Sequence, residues 1–172
     1  MSDLLALCLA VLAALAIRRY ALCLTRIQGR SMMPTLKSGQ WAFVTRYDYL
    51  LGRPNRGDVV ICFFPGRKMK RFPFLRQMMV KRVVGLPGET VVFEEGAVII
   101  DGQPLPEPYL DPQFHRRRPT REPVTLGDNE YYVLGDNRDG SLDSRVVGPL
   151  PRRMIVGRAR FLLPHRSLRA RP

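Results

Sequence analysis

From Thr25 onward the chain is a succession of short apolar runs, each stopped by a turn. This punctuation leaves little room for long helices. The runs fall at residues 41–44, 59–64, 78–84, 97–100, 131–134 and 154–163. They are rich in Val, Ile, Tyr and Phe, the residue types that fit a pleated, half-buried surface. Between them lie Asn55-Arg56-Gly57-Asp58, Pro65-Gly66, Gly85-Leu86-Pro87-Gly88 and Asp101-Gly102. Each of these sequences favours a turn, because glycine reaches positive φ and proline presets its own φ. With 14 glycines and 15 prolines in 172 residues, a mainly β domain with one real core is expected. Residues 90–93 and 97–100 read as a hairpin across Glu94-Glu95-Gly96. The run at 59–64 is continuously apolar and reads as a buried strand ended by Pro65-Gly66.

The N-terminus follows a different rule. Residues 4–17 are uninterrupted apolar side chains. As a helix they reach about 21 Å, short of the roughly 30 Å hydrocarbon core of a bilayer. Arg18 and Arg19 interrupt, and the apolar character resumes to Leu24. Taken as one helix, residues 4–24 span about 31 Å, with the arginines snorkelling to one interface. Residues 1–24 are therefore expected to form a single transmembrane anchor. A cleaved signal peptide is the rival. Against it, Met1-Ser2-Asp3 holds no basic residue, and the small-x-small set Ala14-Leu15-Ala16 lies inside the run. Arg18, Arg19, Arg26 and Arg30 follow the run, and the positive-inside rule alone would keep that side cytoplasmic.

The net charge of +13 suits either nucleic acid or an anionic lipid surface. No Cys/His finger spacing and no aromatic-laced basic strand is present, so a lipid membrane is the expected partner and nucleic acid is not. Residues 66–77 mix Phe72, Phe74 and Leu75 with arginines. They read either as a hairpin loop or as a loop dipping into a membrane interface. Residues 103–123 are proline-rich and polar, an expected surface excursion in which Arg116-Arg117-Arg118 is solvated. The main domain is expected over 25–164, with a basic tail at 165–172. Cys8, Cys23 and Cys62 match no metal spacing and read as small apolar residues. His115 and His165 stand apart, each beside arginines, so no metal and no cofactor is expected.

Residues 29–36, Gly-Arg-Ser-Met-Met-Pro-Thr-Leu, place Ser31 on a bend that Pro34 stiffens. Such a serine is either a solvated turn hydroxyl or a nucleophile, and a nucleophile needs a base. Lys81 sits within Met78-Met79-Val80-Lys81-Arg82-Val83-Val84. It either points to water from an alternating strand or is buried among apolar neighbours, which lowers its pKa. Holding a lysine neutral at pH 7 costs about 4–5 kcal/mol against its ordinary pKa near 10.4. Costs of that size are found mostly at functional sites.

A third segment, residues 135–145, contains Gly135-Asp136-Asn137-Arg138 followed by Ser141-Leu142-Asp143-Ser144-Arg145. With residues 29–36 and 80–89 it forms three blocks in a fixed order that resemble the type I signal peptidase family, membrane-anchored Ser–Lys proteases. The resemblance covers about residues 29–161. It implies mostly antiparallel sheets in a partly open barrel, with the site near a membrane and the catalytic domain on the non-cytoplasmic side. It implies that Ser31 is the nucleophile and Lys81 the general base. Ser141 would orient the lysine, Asp143 and Arg145 would buttress the site, and Asp136 and Arg82 would form a supporting ion pair. Ser144 reads as structural. The Ser31 backbone N–H is the natural first oxyanion donor. Some family members add a serine hydroxyl two residues earlier, where this chain has Gly29, so the second donor is unassigned. The implied substrates are exported preproteins cut after small residues at −3 and −1. Met32 would help line a shallow subsite or pack in the core. The rivals are a specialised Ser–Lys maturation protease and an inactive membrane-associated β module.

Overall fold

The computed structural model describes residues 2–20, 22–49, 52–68, 76–115 and 121–161. Its first element is a helix, α1 (Ser2–Tyr20). Eleven strands follow among the described residues: β1 (Leu22–Arg26), β2 (Trp41–Thr45), β3 (Val59–Lys68), β4 (Arg76–Gly85), β5 (Thr90–Glu94), β6 (Ala97–Ile100), β7 (Gln103–Pro104), β8 (Arg121–Thr125), β9 (Glu130–Leu134), β10 (Leu150–Pro151) and β11 (Ile155–Phe161). A single-turn helix, α2 (Ser144–Val147), sits between β9 and β10.

The strands form two sheets. The larger has the order β1-β2-β11-β3-β4-β9-β10 and the smaller β7-β6-β5-β8. Neighbouring strands run antiparallel. The large sheet does not close on itself; β1 and β10 are its two edges.

The expected transmembrane anchor is corrected. No helix among the described residues is long and apolar enough to cross a membrane. The physical reason lies on both sides of the apolar run. Asp3 stands at one end of α1 and Arg18 and Arg19 at the other, so the uncharged stretch stays near 21 Å. Beyond them, Leu22–Arg26 is drawn into the sheet, pairing Leu22 with Thr45 and Arg26 with Trp41. The second apolar stretch is thus a strand, not more helix.

Two further expectations shift. β3 does not stop at Pro65-Gly66 but runs to Lys68. Its register against β4 slips between Phe63 and Lys68, and a slip of this kind is where a strand tolerates proline. The excursion at 103–123 also contributes β8, which pairs with β5. β8 is an exposed edge strand carrying Pro123, so it shows no hydrophobic alternation. Phe72, Phe74, Arg116-Arg117-Arg118 and the tail at 165–172 lie outside the described residues.

The continuous apolar run of β3 has a simple cause: both of its faces are buried. Val60, Cys62 and Phe64 pack with Val83, Tyr131 and Val133 on one side. Val59 and Ile61 pack with Ile27, Met32, Leu36 and Val44 on the other. A third cluster, with Val84, Val91, Phe93, Val98 and Leu134, joins the small sheet to the end of β4. Full burial of one such side chain contributes about 1.5–3 kcal/mol. These clusters clamp the middle of β4 and the segment after β1 at fixed positions, and the candidate site lies between them.

Candidate active site

The serine segment is built by a backbone clamp and two apolar plugs. Ile27 N–H donates to Gln40 O and Gly39 N–H to Ile27 O, each at 2.8 Å. Gly29 follows at φ +96°, in the left-handed region that glycine reaches without strain. The chain then turns, with Met33 N–H on Arg30 O (3.2 Å) and Leu36 N–H on Met32 O (2.8 Å). The Met33–Pro34 peptide is cis. Met32 and Leu36 are each 2% exposed and enter the cluster beside Val59 and Ile61. They anchor the turn, and Ser31 stays half-buried at its start.

Lys81 lies mid-β4, opposite Val60. It is 2% exposed, so it does not point to water as simple strand alternation would allow. Its Nζ stands 2.9 Å from Ser31 Oγ and donates to Val80 O at 2.9 Å. Burial pushes its pKa down, because a charged ammonium loses its hydration there. Cys62, Asp143 and Asp136 pull the other way without cancelling that effect. Cys62 is fully buried on the same side of β3, and burial pushes its thiol up to about 12, so it is neutral at pH 7.

The third segment holds the serine from behind. Asn137 N–H donates to Ser31 O at 3.0 Å and Asn137 Nδ2 to Arg30 O at 3.1 Å. A Cβ at Gly135 would sit 2.4 Å from Ser31 O and 2.2 Å from Ser141 Oγ. Only glycine allows the two segments to come that close. Asp143 is fully buried. It accepts from Gly135 N–H at 3.1 Å and from two guanidinium nitrogens of Arg145, each at 2.8 Å. Burial acts to raise its pKa, but Arg145 and the Gly135 N–H outweigh it and hold the carboxyl below the usual range. Asp143 also caps α2, a local consequence of its extended backbone and short carboxylate. Arg82 grips Asp136 with two bonds, Nε to Oδ1 at 2.9 Å and Nη2 to Oδ2 at 2.6 Å. Thr35 Oγ1 donates to the same carboxylate, which ties the serine turn to this pair.

Of the residues the sequence singled out, Ser31 and Lys81 are in contact, and the pairs Arg82–Asp136 and Asp143–Arg145 are formed. Ser144 Oγ accepts from Val133 N–H at 3.0 Å, a structural bond. Ser141 differs from expectation. Its Oγ is buried and makes no bond to Lys81; it lies beside Asp143 and helps hold that carboxyl low. The second contact of Lys81 Nζ is Val80 O, not Ser141. The backbone geometry explains this: β4 carries its own acceptor one residue from the lysine, so no side chain is needed to satisfy a second N–H.

Met32 lies at the boundary of core and cleft. It is core, and it also lines an open cleft of about 600 Å³ that Ser31, Lys81, Ile61, Met78 and Leu142 border. The Ser31 N–H makes no hydrogen bond among the described residues, so it is available to an oxyanion. Gly29 N–H is engaged with Ser38 Oγ at 3.3 Å. Asn137 was missed by the sequence reading, although it lies inside the third block. Its asparagine chemistry, a backbone N–H and a side-chain amide beside each other, was the available signal. No cluster of three potential metal ligands occurs among the described residues. Chemically, the arrangement offers a hydroxyl, a desolvated amine within hydrogen-bond reach, a free N–H and an apolar groove alongside.

Several known proteins are similar to this chain. The family model for signal peptidase, peptidase S26, matches residues 1–163. The chain is 40% identical over 153 residues to a signal peptidase I of Leptolyngbya laminosa, covering 88% of this chain and 73% of that protein. It is 33% identical over 168 residues to signal peptidase I S of Bacillus subtilis, covering 91% and 85%. A crystal structure of a signal peptidase I from Enterococcus faecalis aligns with 62% of this chain and 97% of that one, at 30% identity and a TM-score of 0.48.

Proposed function

The chain belongs to the signal peptidase family, peptidase S26, and on that premise we propose that it removes signal peptides with Ser31 as nucleophile and Lys81 as general base. The observation that carries this reading is the 2.9 Å separation of Lys81 Nζ and Ser31 Oγ, with the lysine buried among apolar side chains. A neutral amine at that distance accepts the serine proton as Oγ attacks the scissile carbonyl. The negative charge formed on the carbonyl oxygen goes to the Ser31 N–H. Lys81, now protonated, donates to the departing amine, which leaves the acyl group on Ser31. It then accepts a proton from the water that releases the signal peptide.

The remaining residues hold this pair in place. Asp143–Arg145 and Arg82–Asp136 fix the segments behind and beside the serine. Ser141 orients Lys81 when the ammonium forms, from a hydroxyl buried in the segment behind the serine. The cleft lined by Met32 accepts small side chains at −3 and −1, and a larger one overfills it. Association with a membrane runs through α1, whose Leu4, Leu5, Leu7, Leu9, Val11 and Leu12 are each 50–68% exposed. Packing these side chains into lipid removes from water apolar area that the protein itself leaves uncovered. The catalytic domain lies on the non-cytoplasmic side, where exported preproteins emerge.

The test is cleavage of a preprotein carrying a small-x-small site, with the cut mapped. Ser31→Ala and Lys81→Ala are expected to abolish cleavage with the fold retained. Wild-type rates in either variant would falsify the assignment. Flotation with liposomes of the full chain and of a chain with Leu5, Leu9 and Leu12 changed to Ser tests attachment. Equal partitioning would remove the role of α1.

A further inference from the structure

The proline-rich excursion is not merely a surface loop. Leu105 N–H donates to Val98 O at 2.8 Å, fixing its start to β6. Further along, Phe114 O accepts from Asp139 N–H at 3.3 Å. Between these points the chain lies against the segment that holds the nucleophile. Glu107 and Arg138 meet there, 31 positions apart in sequence. Arg138 Nη1 donates to Glu107 Oε2 at 3.0 Å and Nη2 to Oε1. The side chains of Arg138 and Glu107 are 1% and 6% exposed. Arg138 Nε also donates to Gly135 O at 3.1 Å, and Arg138 O accepts from Arg145 Nη2 at 2.8 Å. Tyr109 hydroxyl donates to Glu107 Oε1 at 2.5 Å, and the Arg82 guanidinium lies 3.8 Å from the centre of the Tyr109 ring.

We propose that Glu107 is a positioning residue for the cleavage reaction, because by pairing the buried Arg138 it holds the 135–140 loop in the shape that lets Asn137 bind Ser31 O and Arg30 O. A buried guanidinium deprived of its carboxylate does not stay buried. It moves toward water and takes its own backbone with it. That backbone is one residue from Asn137, whose two bonds set the position of Ser31, and its side chain holds Gly135 O. Displacing a reacting group by about 1 Å costs on the order of 100-fold in rate. The same excursion reaches the second supporting pair through Tyr109 and Arg82. The Pro-rich segment is therefore a strap across the back of the site, and the buried carboxylate of Glu107 is the contact that matters.

The inference rests on the reading of Ser31 and Lys81 as the reacting pair. It is tested in the full chain in detergent, by kcat and KM on a preprotein and by Tm. Glu107→Gln keeps the shape and removes the charge. It is expected to lower kcat about 10- to 100-fold with KM unchanged, at a temperature well below Tm. Glu107→Asp, which retains the charge, is expected to recover part of the loss. Asp111→Ala removes a cap on the short helical turn of the strap without touching Arg138, and is expected to keep wild-type kcat. If Glu107→Gln does not fold, Tyr109→Phe, which deletes only the hydroxyl donated to Glu107, is expected to give the same kcat effect at smaller amplitude. Wild-type kcat in Glu107→Gln, or in Tyr109→Phe where that variant replaces it, overturns the proposal even if Tm falls. Cleavage by Ser31→Ala overturns the underlying dyad instead.

Discussion

Replacing Lys81 with methionine separates the cost of the base from its use. The side chains are similar in length, and the site is buried and flanked by Val60, Cys62 and Val83. Burying the ammonium costs hydration free energy, which is what pushes the Lys81 pKa down. Methionine removes that cost. It also removes the bonds to Ser31 Oγ and Val80 O, each worth about 1 kcal/mol net. Lys81→Met is therefore expected to be more stable than wild type at pH 7 by the excess of that cost over the two bonds. Burial lowers the folded-state pKa, so above that pKa and below the unfolded one the unfolded chain binds the extra proton. Wild-type stability then rises with pH by up to about 1.4 kcal/mol per unit, and the advantage of the variant shrinks as pH rises toward the unfolded-state pKa. Urea unfolding of both proteins from pH 7 to 10 measures this. Cleavage by the variant is expected to fall at least about 100-fold, the lower end of what a positioned base contributes. A stability difference that does not change with pH would show that Lys81 is charged in the folded protein and would refute its role as a neutral base.

Three further outcomes follow from the same geometry. Asp143→Asn removes a carboxylate that favours charged Lys81 and leaves Arg145, which disfavours it, unpaired; the acid limb of kcat/KM is expected to move to lower pH, and a pH–rate profile reads it. Gly135→Ala would place a methyl 2.4 Å from Ser31 O, and a preprotein assay is expected to show a loss of about 100-fold or more. Ser141→Ala deletes a buried hydroxyl that helps hold the Asp143 carboxyl low; kcat is expected to fall with the fold retained. Wild-type kcat in this variant would remove Ser141 from the mechanism.

Much of the fold was legible because strand and turn signals are local. The apolar run of β3, the hairpin of β5 and β6 and the Gly85-Leu86-Pro87-Gly88 turn depend on neighbours in the chain. β8 was not legible, since an exposed edge strand with a proline carries no alternation. Nor was the end of α1, because whether Leu22–Arg26 continues the helix or joins the sheet depends on the presence of β2 beside it. For the site, the residue types and their order identified the family. The partners Glu107 and Tyr109 were invisible, because their roles arise from contacts between distant segments.

Taken by itself, the chain determined which groups can do chemistry: a serine on a stiffened bend, a lysine in an apolar strand and a polar turn to brace them. Those are properties of side chains and short-range backbone preference. Whether Lys81 faced water or lost its hydration was open to periodicity alone. The tertiary structure decided it by packing β3 on both faces, burying the lysine and bringing Ser31 Oγ to 2.9 Å from its amine. Position in space depends on the packing of segments far apart in the chain, and a one-dimensional pattern does not contain it.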